Sequence, residues 1–370
     1  MVVFNLLVSG KGSPTKLIQH SPALQVLFGQ HVSALESCPV VGSNINKMKY
    51  SKACFNSTAV PLQRSVLFFE AVWRFCVDVV VTRAGRDPAK FAAAFLANIT
   101  TEAVIQAAMM ADAADEHMLI RRFFDSESWD VASIGSELDG FLRRIEFLFI
   151  PAAGAAAGCL NQGFVRYACQ LLAKPRVCWV GGSQHTIGGP GAVTAKLLGN
   201  CLSRMANWLR LTISAVSAEF PDWQLTQSMS VFNLDAPQAP ADDQAHFERL
   251  AAAFELDAAI LKREYEEARP MAAGFYQQAG TRCSMGAWVK AAFILQKPRR
   301  MGRTTSLKSP LLRILHVAQC WIGLSTSRIE QHFSKIKSVA TGVVRAGSSE
   351  QTESMEARLC CDLLGAPEEF

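Results

Sequence analysis

Apolar residues in this chain recur mostly three and four positions apart, the spacing that puts them on one face of a helix. Val66 to Val81 is nearly continuous in apolar residues and is broken only by Glu70, Arg74 and Asp78. These charges stand at i, i+4 and i+8, so one helix could hold all three on a single face, pairing acid, base and acid in succession. That argues for a buried helix rather than a membrane span. Thr101 to Phe124 has no helix breaker, and Trp129 to Phe149 carries a wide apolar face of Ile134, Leu138, Phe141, Leu142, Ile145 and Leu148. Asp87 reads as an N-cap with Pro88 at the first helical position. Val177–Val180, between Pro175 and the pair Gly181-Gly182, is the best strand candidate. A further helix is expected from about Ala192 to Glu219. Later come a seam of Phe247, Leu250 and Phe254, then a helix capped by Asp257 with Ile260, Leu261 and Tyr265. An amphipathic helix follows with Leu311, Ile314, Leu315, Ala318, Trp321 and Ile322.

The pattern predicts a mainly α-helical protein with few strands. Breaks in it divide the chain into an irregular lead-in over 1–60, a helical region over 61–235, a linker over 236–246 and a C-terminal helical region over 247–370. The lead-in is expected to be irregular because Gly10, Gly12, Pro14, Pro22, Pro39 and Gly42 interrupt any period.

Composition narrows the function only modestly. The chain has 370 residues, half of them hydrophobic, and a net charge of +5, which is too small to argue for a polyanionic partner on its own. Its 11 Cys include no C-x-x-C pair, so neither a zinc module nor a disulfide framework is written into the spacing, and reduced, buried thiols are expected. Met1 to Val8 lacks a basic leader, so no signal peptide is expected, and the sequons at Asn56 and Asn98 read as chance matches. Asp112, Asp115 and Glu116 share a helix face beside His117 and read as a solvated face rather than a metal site. Asp125, Glu127 and Asp130 read as capping residues at a helix junction. Gly188-Gly189-Pro190-Gly191 lacks a following Gly-Lys-Ser/Thr and reads as an ordinary loop. Lys297, Arg299, Arg300, Arg303 and Lys308 form a basic cluster without an acid, suited to phosphate contacts or to plain surface.

Near the end of the chain, Ser325-Thr-Ser-Arg-Ile-Glu-Gln-His-Phe-Ser334 is followed by Lys337, Thr341 and Arg345. Ile329, Phe333, Ile336 and Ala340 make one helical stripe. Ser327 and Glu330 have the spacing of a capping box, and a carboxylate in a first turn is favoured by the helix dipole. After Gly347-Ser348-Ser349, another helix is expected with Met355, Leu359, Leu363 and Leu364 turned inward.

This block resembles the C-terminal dimerisation region of hAT-family DNA transposases, and Phe220-Pro-Asp-Trp223 with Val231-Phe232 is a fainter point of similarity. The resemblance implies a remnant of an RNase H-like core with a helical insertion, and a dimerisation block over 311–365. The dimer would form through Ile329, Phe333, Ile336, Arg345, Met355, Leu359 and Leu363. It also implies a nuclear location, a homodimer and DNA as a partner, with Lys297, Arg299, Arg300, Arg303 and Lys308 as phosphate contacts; no membrane association is expected. In the family the Glu matched by Glu330 is the third carboxylate of a two-Mg²⁺ phosphoryl-transfer site, which needs several converging acids. Here Ser327 and Gln331 stand where the family has Ala and Arg, the two upstream catalytic Asp residues find no match, and no BED-type zinc finger is present. Capping is therefore the favoured role of Glu330, no metal site is assigned, and no cofactor is expected.

The expectation is a transposase-derived C-terminal portion that self-associates and binds DNA without a complete nuclease site. One alternative is an active DDE-type transposase component using Mg²⁺ and Glu330. Another is an unrelated helical scaffold.

Overall fold

The computed structural model describes residues 2–35, 50, 56–125, 130–151, 156–219, 223–235, 243–278, 283–296 and 309–322. They are mainly helical, as the periodicity predicts, and the chain divides into two compact units. The first comprises residues 1–120 and 138–221, the second 121–137 and 222–370. These are not the segments drawn from composition, because the helices over Thr101–Asp125 and Ile134–Phe149 each run without a break across a unit boundary.

The first unit begins with α1 (Val2–Phe4) and a wide turn over Asn5–Ser9, then α2 (Pro14–His20) and α3 (Pro22–Ser33). Residues 2–33 are therefore not the irregular lead-in expected over 1–60. Pro14 and Pro22 sit in the first helical turn, where the missing N–H costs nothing, so they start helices instead of ending them. Ser13 and Ser21 precede them as N-caps. Ser13 and Thr15 also tie α2 to the turn, donating to the carbonyls of Val8 and Leu7.

The apolar run splits at Phe68 into α4 (Asn56–Leu67) and α5 (Phe69–Thr82), not one helix over 66–81. Phe68 leaves helical geometry at φ −99°, ψ 21°. α5 buries Phe69, Val72, Trp73, Phe75, Cys76 and Val79, with Phe75 edge-on to Phe28 of α3. Of the expected charge ladder only the first rung forms. Arg74 pairs with Glu70 at 2.8 Å, while Asp78 meets His31 at 3.2 Å and Glu70 also takes Arg176 from a strand.

α6 (Asp87–Asn98) starts one residue earlier than expected. Arg86 is its N-cap and Asp87 lies in the first turn, paired with Lys90. α7 (Thr101–Asp125) and α8 (Ile134–Phe149) follow, then α9 (Gly163–Leu172). Next, β1 (Arg176–Val180) pairs antiparallel with β2 (Ser183–Ile187). The second strand went unpredicted because Ser183-Gln184-His185-Thr186 carries no apolar alternation. What makes the hairpin is the turn: Gly181 and Gly182 take φ +58° and +80°, the pair of positive values that a two-residue hairpin loop needs. α10 (Ala195–Glu219) completes the unit.

The second unit contains a short turn of helix at Val131–Ser133, α11 (Trp223–Ser228), another turn at Met229–Phe232, α12 (Asp243–Phe254), α13 (Ala258–Gln278), α14 (Ser284–Gln296) and α15 (Pro310–Ile322). Its core is an aromatic cluster. Tyr265 stacks on Trp288 with centroids 4.7 Å apart, and Phe232 and Phe247 meet these rings edge-on. The polar ends of the two central rings are satisfied: Trp288 Nε1 donates to Phe232 O and Tyr265 Oη to Val231 O, each at 2.8 Å. Of the predicted seam, Phe247 and Leu250 are buried; Asp257 caps α13 as predicted, accepting from Ile260 N at 2.9 Å.

Among the described residues no single helix is long and apolar enough to cross a membrane. α6 and the helical residues 101–124 meet that length and composition only as a pair, and they are bent by 93° at the break between them.

Candidate functional site

Most residues that the sequence singles out lie outside the described residues. This holds for the basic cluster Lys297, Arg299, Arg300, Arg303 and Lys308, for Glu330, and for Ile329, Phe333, Ile336, Arg345, Met355, Leu359 and Leu363. What leads into them is described. α15 forms where the pattern puts it and buries Leu311, Ile314, Leu315 and Ala318. Its first turn is capped from α13: Glu264 accepts from Ser309 Oγ at 2.6 Å and from Leu311 N at 3.1 Å, and Ser309 Oγ accepts from Leu312 N.

The acidic face of α7 is solvated only in part: Asp115 is exposed, Glu116 is half-buried and Asp112 is buried. Asp112 accepts from the amides of Phe164 at 2.8 Å and Val165 at 3.2 Å, so it caps the N-terminus of α9 from another helix. Gly163 is required beside it, since its φ is +76° and a Cβ there would collide with Asp112 Oδ1. Asp115 accepts from Gln63, and Glu116 pairs with Arg144 at 2.6 Å. Each acid thus has its own structural partner. Among the described residues no three His, Cys, Asp or Glu side chains are placed to hold a metal ion.

Burial pushes the Asp112 carboxyl up to about 7; Asp115 and Glu116 push the same way, and the two amides pull back. The folded state therefore holds a proton that the unfolded chain, with an ordinary carboxyl, releases near pH 4. Asp112's contribution to stability is fully present below about pH 4, is lost as pH rises to about 7, and is flat above that. Asp112→Asn is expected to remove a slope worth up to about 4 kcal/mol across that window. Urea denaturation of both proteins from pH 4 to pH 8 measures it, and parallel pH profiles would contradict the assignment.

The other expectations resolve simply. Asp130 caps as predicted, and its role reaches further: it accepts from Ala132 N at 3.1 Å and from Ser284 N at the start of α14. The Gly188–Gly191 segment is an ordinary loop whose first two amides are taken internally, Gly188 N by Thr101 Oγ1 and Gly189 N by Leu172 O. Cys76, Cys159, Cys169, Cys178, Cys201 and Cys283 are unbonded thiols.

One site in the first unit was missed. A cavity of about 660 Å³ lies between α7 and α10, closed at one side by Val2–Phe4 and Leu62. Gln106, Met110, Ala113, Ala114 and His117 line it from α7 at helical spacing; Arg204, Met205 and Trp208 line it from α10. His117 is held by its Nδ1, which donates to Ala113 O at 2.9 Å, with its ring edge-on to Phe141 and tilted against Trp208. Burial pushes its pKa down, so the imidazole is neutral at pH 7. Arg204 is neutralised by Glu102 at 2.6 Å, although its N–H is not aimed along that oxygen as a hydrogen bond. Gln106 is only 8% exposed, and its Oε1 has no donor among the described residues. An enclosed acceptor left so costs about 1–3 kcal/mol. The signal for this site was in the sequence: one amide amid apolar and small residues on a helix stripe.

Fold and site together define a mainly helical, two-unit protein with an apolar cavity in one unit. No family model matches the chain, and neither a curated protein nor a solved structure matches it.

Proposed function

We propose that the chain is a hAT-transposase-derived protein that pairs with a second copy through its C-terminal helices and holds duplex DNA by its phosphates, without cutting it. The observation that carries this is the run Ser325–Ser334 with Lys337, Thr341 and Arg345, which follows directly on a capped, well-buried α15. In this reading Ile329, Phe333 and Ile336 continue the apolar seam into a helix that a copy covers, and Met355, Leu359 and Leu363 add a second. Glu330 caps its helix, and the protein acts in the nucleus.

Lys297, Arg299, Arg300, Arg303 and Lys308 supply sequence-tolerant phosphate contacts. Fluorescence anisotropy with a labelled duplex is expected to give an affinity that falls with added salt. Replacing Arg299 and Arg300 with Gln is expected to flatten the log–log salt slope by about 2, roughly one unit per phosphate contact. An affinity independent of salt, or none at all, removes the DNA claim and leaves the scaffold alternative. Mg²⁺-dependent nicking that Glu330→Gln abolishes would favour the active transposase instead.

A further inference from the structure

The cavity in the first unit is built as a small-molecule site and plays no part in the reading above. The cavity is partly open to the surface, and its volume of about 660 Å³ falls within the range of ligand sites. Its walls set what can fill it. Met110 and Met205 offer thioethers and Trp208 an aromatic ring, surfaces that suit a flat apolar body better than water. Charge is not called for, because Arg204 is already neutralised by Glu102. Among the residues that line it, Gln106 presents a buried acceptor, Oε1, that has no donor among the described residues.

From this geometry we infer that the cavity binds an uncharged, flat, largely apolar molecule carrying one O–H or N–H group, which donates to Gln106 Oε1. Gln106 lines the cavity with its Oε1 shielded from solvent, and the terminal amide brings that oxygen to a bound donor by turning about its last torsion, which is broad. Gln106 fixes the orientation of the molecule; the methionines and Trp208 supply its contact area.

Pyrene and 1-hydroxypyrene share one apolar body and differ by a hydroxyl, and their fluorescence on titration with the full-length protein separates the two contributions. Both are expected to bind one per chain, 1-hydroxypyrene about tenfold more tightly, the effect of one hydrogen bond. Gln106→Leu is expected to leave pyrene binding unchanged and bring 1-hydroxypyrene to the same affinity. Met110→Trp, which fills the cavity, is expected to abolish both, with circular dichroism checking that the helices persist. If that variant does not fold, Ala114→Leu narrows the same space and is expected to weaken both probes. Equal affinities for the wild-type protein overturn the inference, as do a preference that survives Gln106→Leu, binding untouched by the filling variants, or no binding at all.

Discussion

Trp288→Ala is expected to destabilise the second unit by about 3–5 kcal/mol, close to the whole stability of many domains. Trp288 is fully buried at the centre of the aromatic cluster, stacked on Tyr265 and edge-on to Phe232. Removing the indole leaves a cavity ringed by groups that the Met229–Phe232 turn, α12 and α13 hold in place, so the space collapses only in part. It also orphans the Phe232 carbonyl, which the indole N–H satisfies at 2.8 Å. Trp288→Phe separates the two losses. It keeps most of the ring contact and gives up the donor, so about 1–2 kcal/mol is expected from it. Urea denaturation followed by far-ultraviolet circular dichroism measures both, and a Phe variant as damaged as the Ala variant would mean that the hydrogen bond, not the packing, carries the site.

Asp130→Ala is expected to cost about 3 kcal/mol for a different reason. Asp130 is buried, and its carboxylate joins two places far apart in sequence: one oxygen takes Ala132 N, the other Ser284 N where α14 begins. Ser284 Oγ in turn accepts from Leu234 N at 3.0 Å. Alanine would strand these amides away from water. Burial pushes the Asp130 pKa up and the amides pull it back, so the charge itself is no asset. Asp130→Asn keeps an acceptor without a buried charge and is therefore expected to lose less than half as much. Hydrogen exchange at the first turn of α14 should accelerate in the Ala variant. Unchanged protection there would show that Asp130 does not hold the helix start.

The helices were legible where local chemistry decides them, and the misses share a cause. α7 follows from a run without a helix breaker and α15 from apolar periodicity, and Asp257 was a readable cap because it serves its own helix. Pro14 and Pro22 misled because a proline's meaning depends on which end of a helix it occupies. Asp112 and Glu264 serve helices other than their own, as does the second contact of Asp130, to Ser284, so no spacing rule finds these contacts. The strand Arg176–Val180 was visible in its β-branched and aromatic residues. Its partner Ser183–Ile187 exists through the glycine turn and the pairing itself. The cavity depends on how α7 faces α10, and that is tertiary information which the lone amide at Gln106 only hints at.

Self-association through the tail is the claim on which the functional account turns, and light scattering of the purified chain across a range of concentrations tests it most directly. The wild-type protein is expected at twice the 40.4 kDa of one chain, with Phe333→Asp at the mass of a single chain and its circular dichroism unchanged. A wild-type protein that remains at 40.4 kDa at every concentration would contradict it.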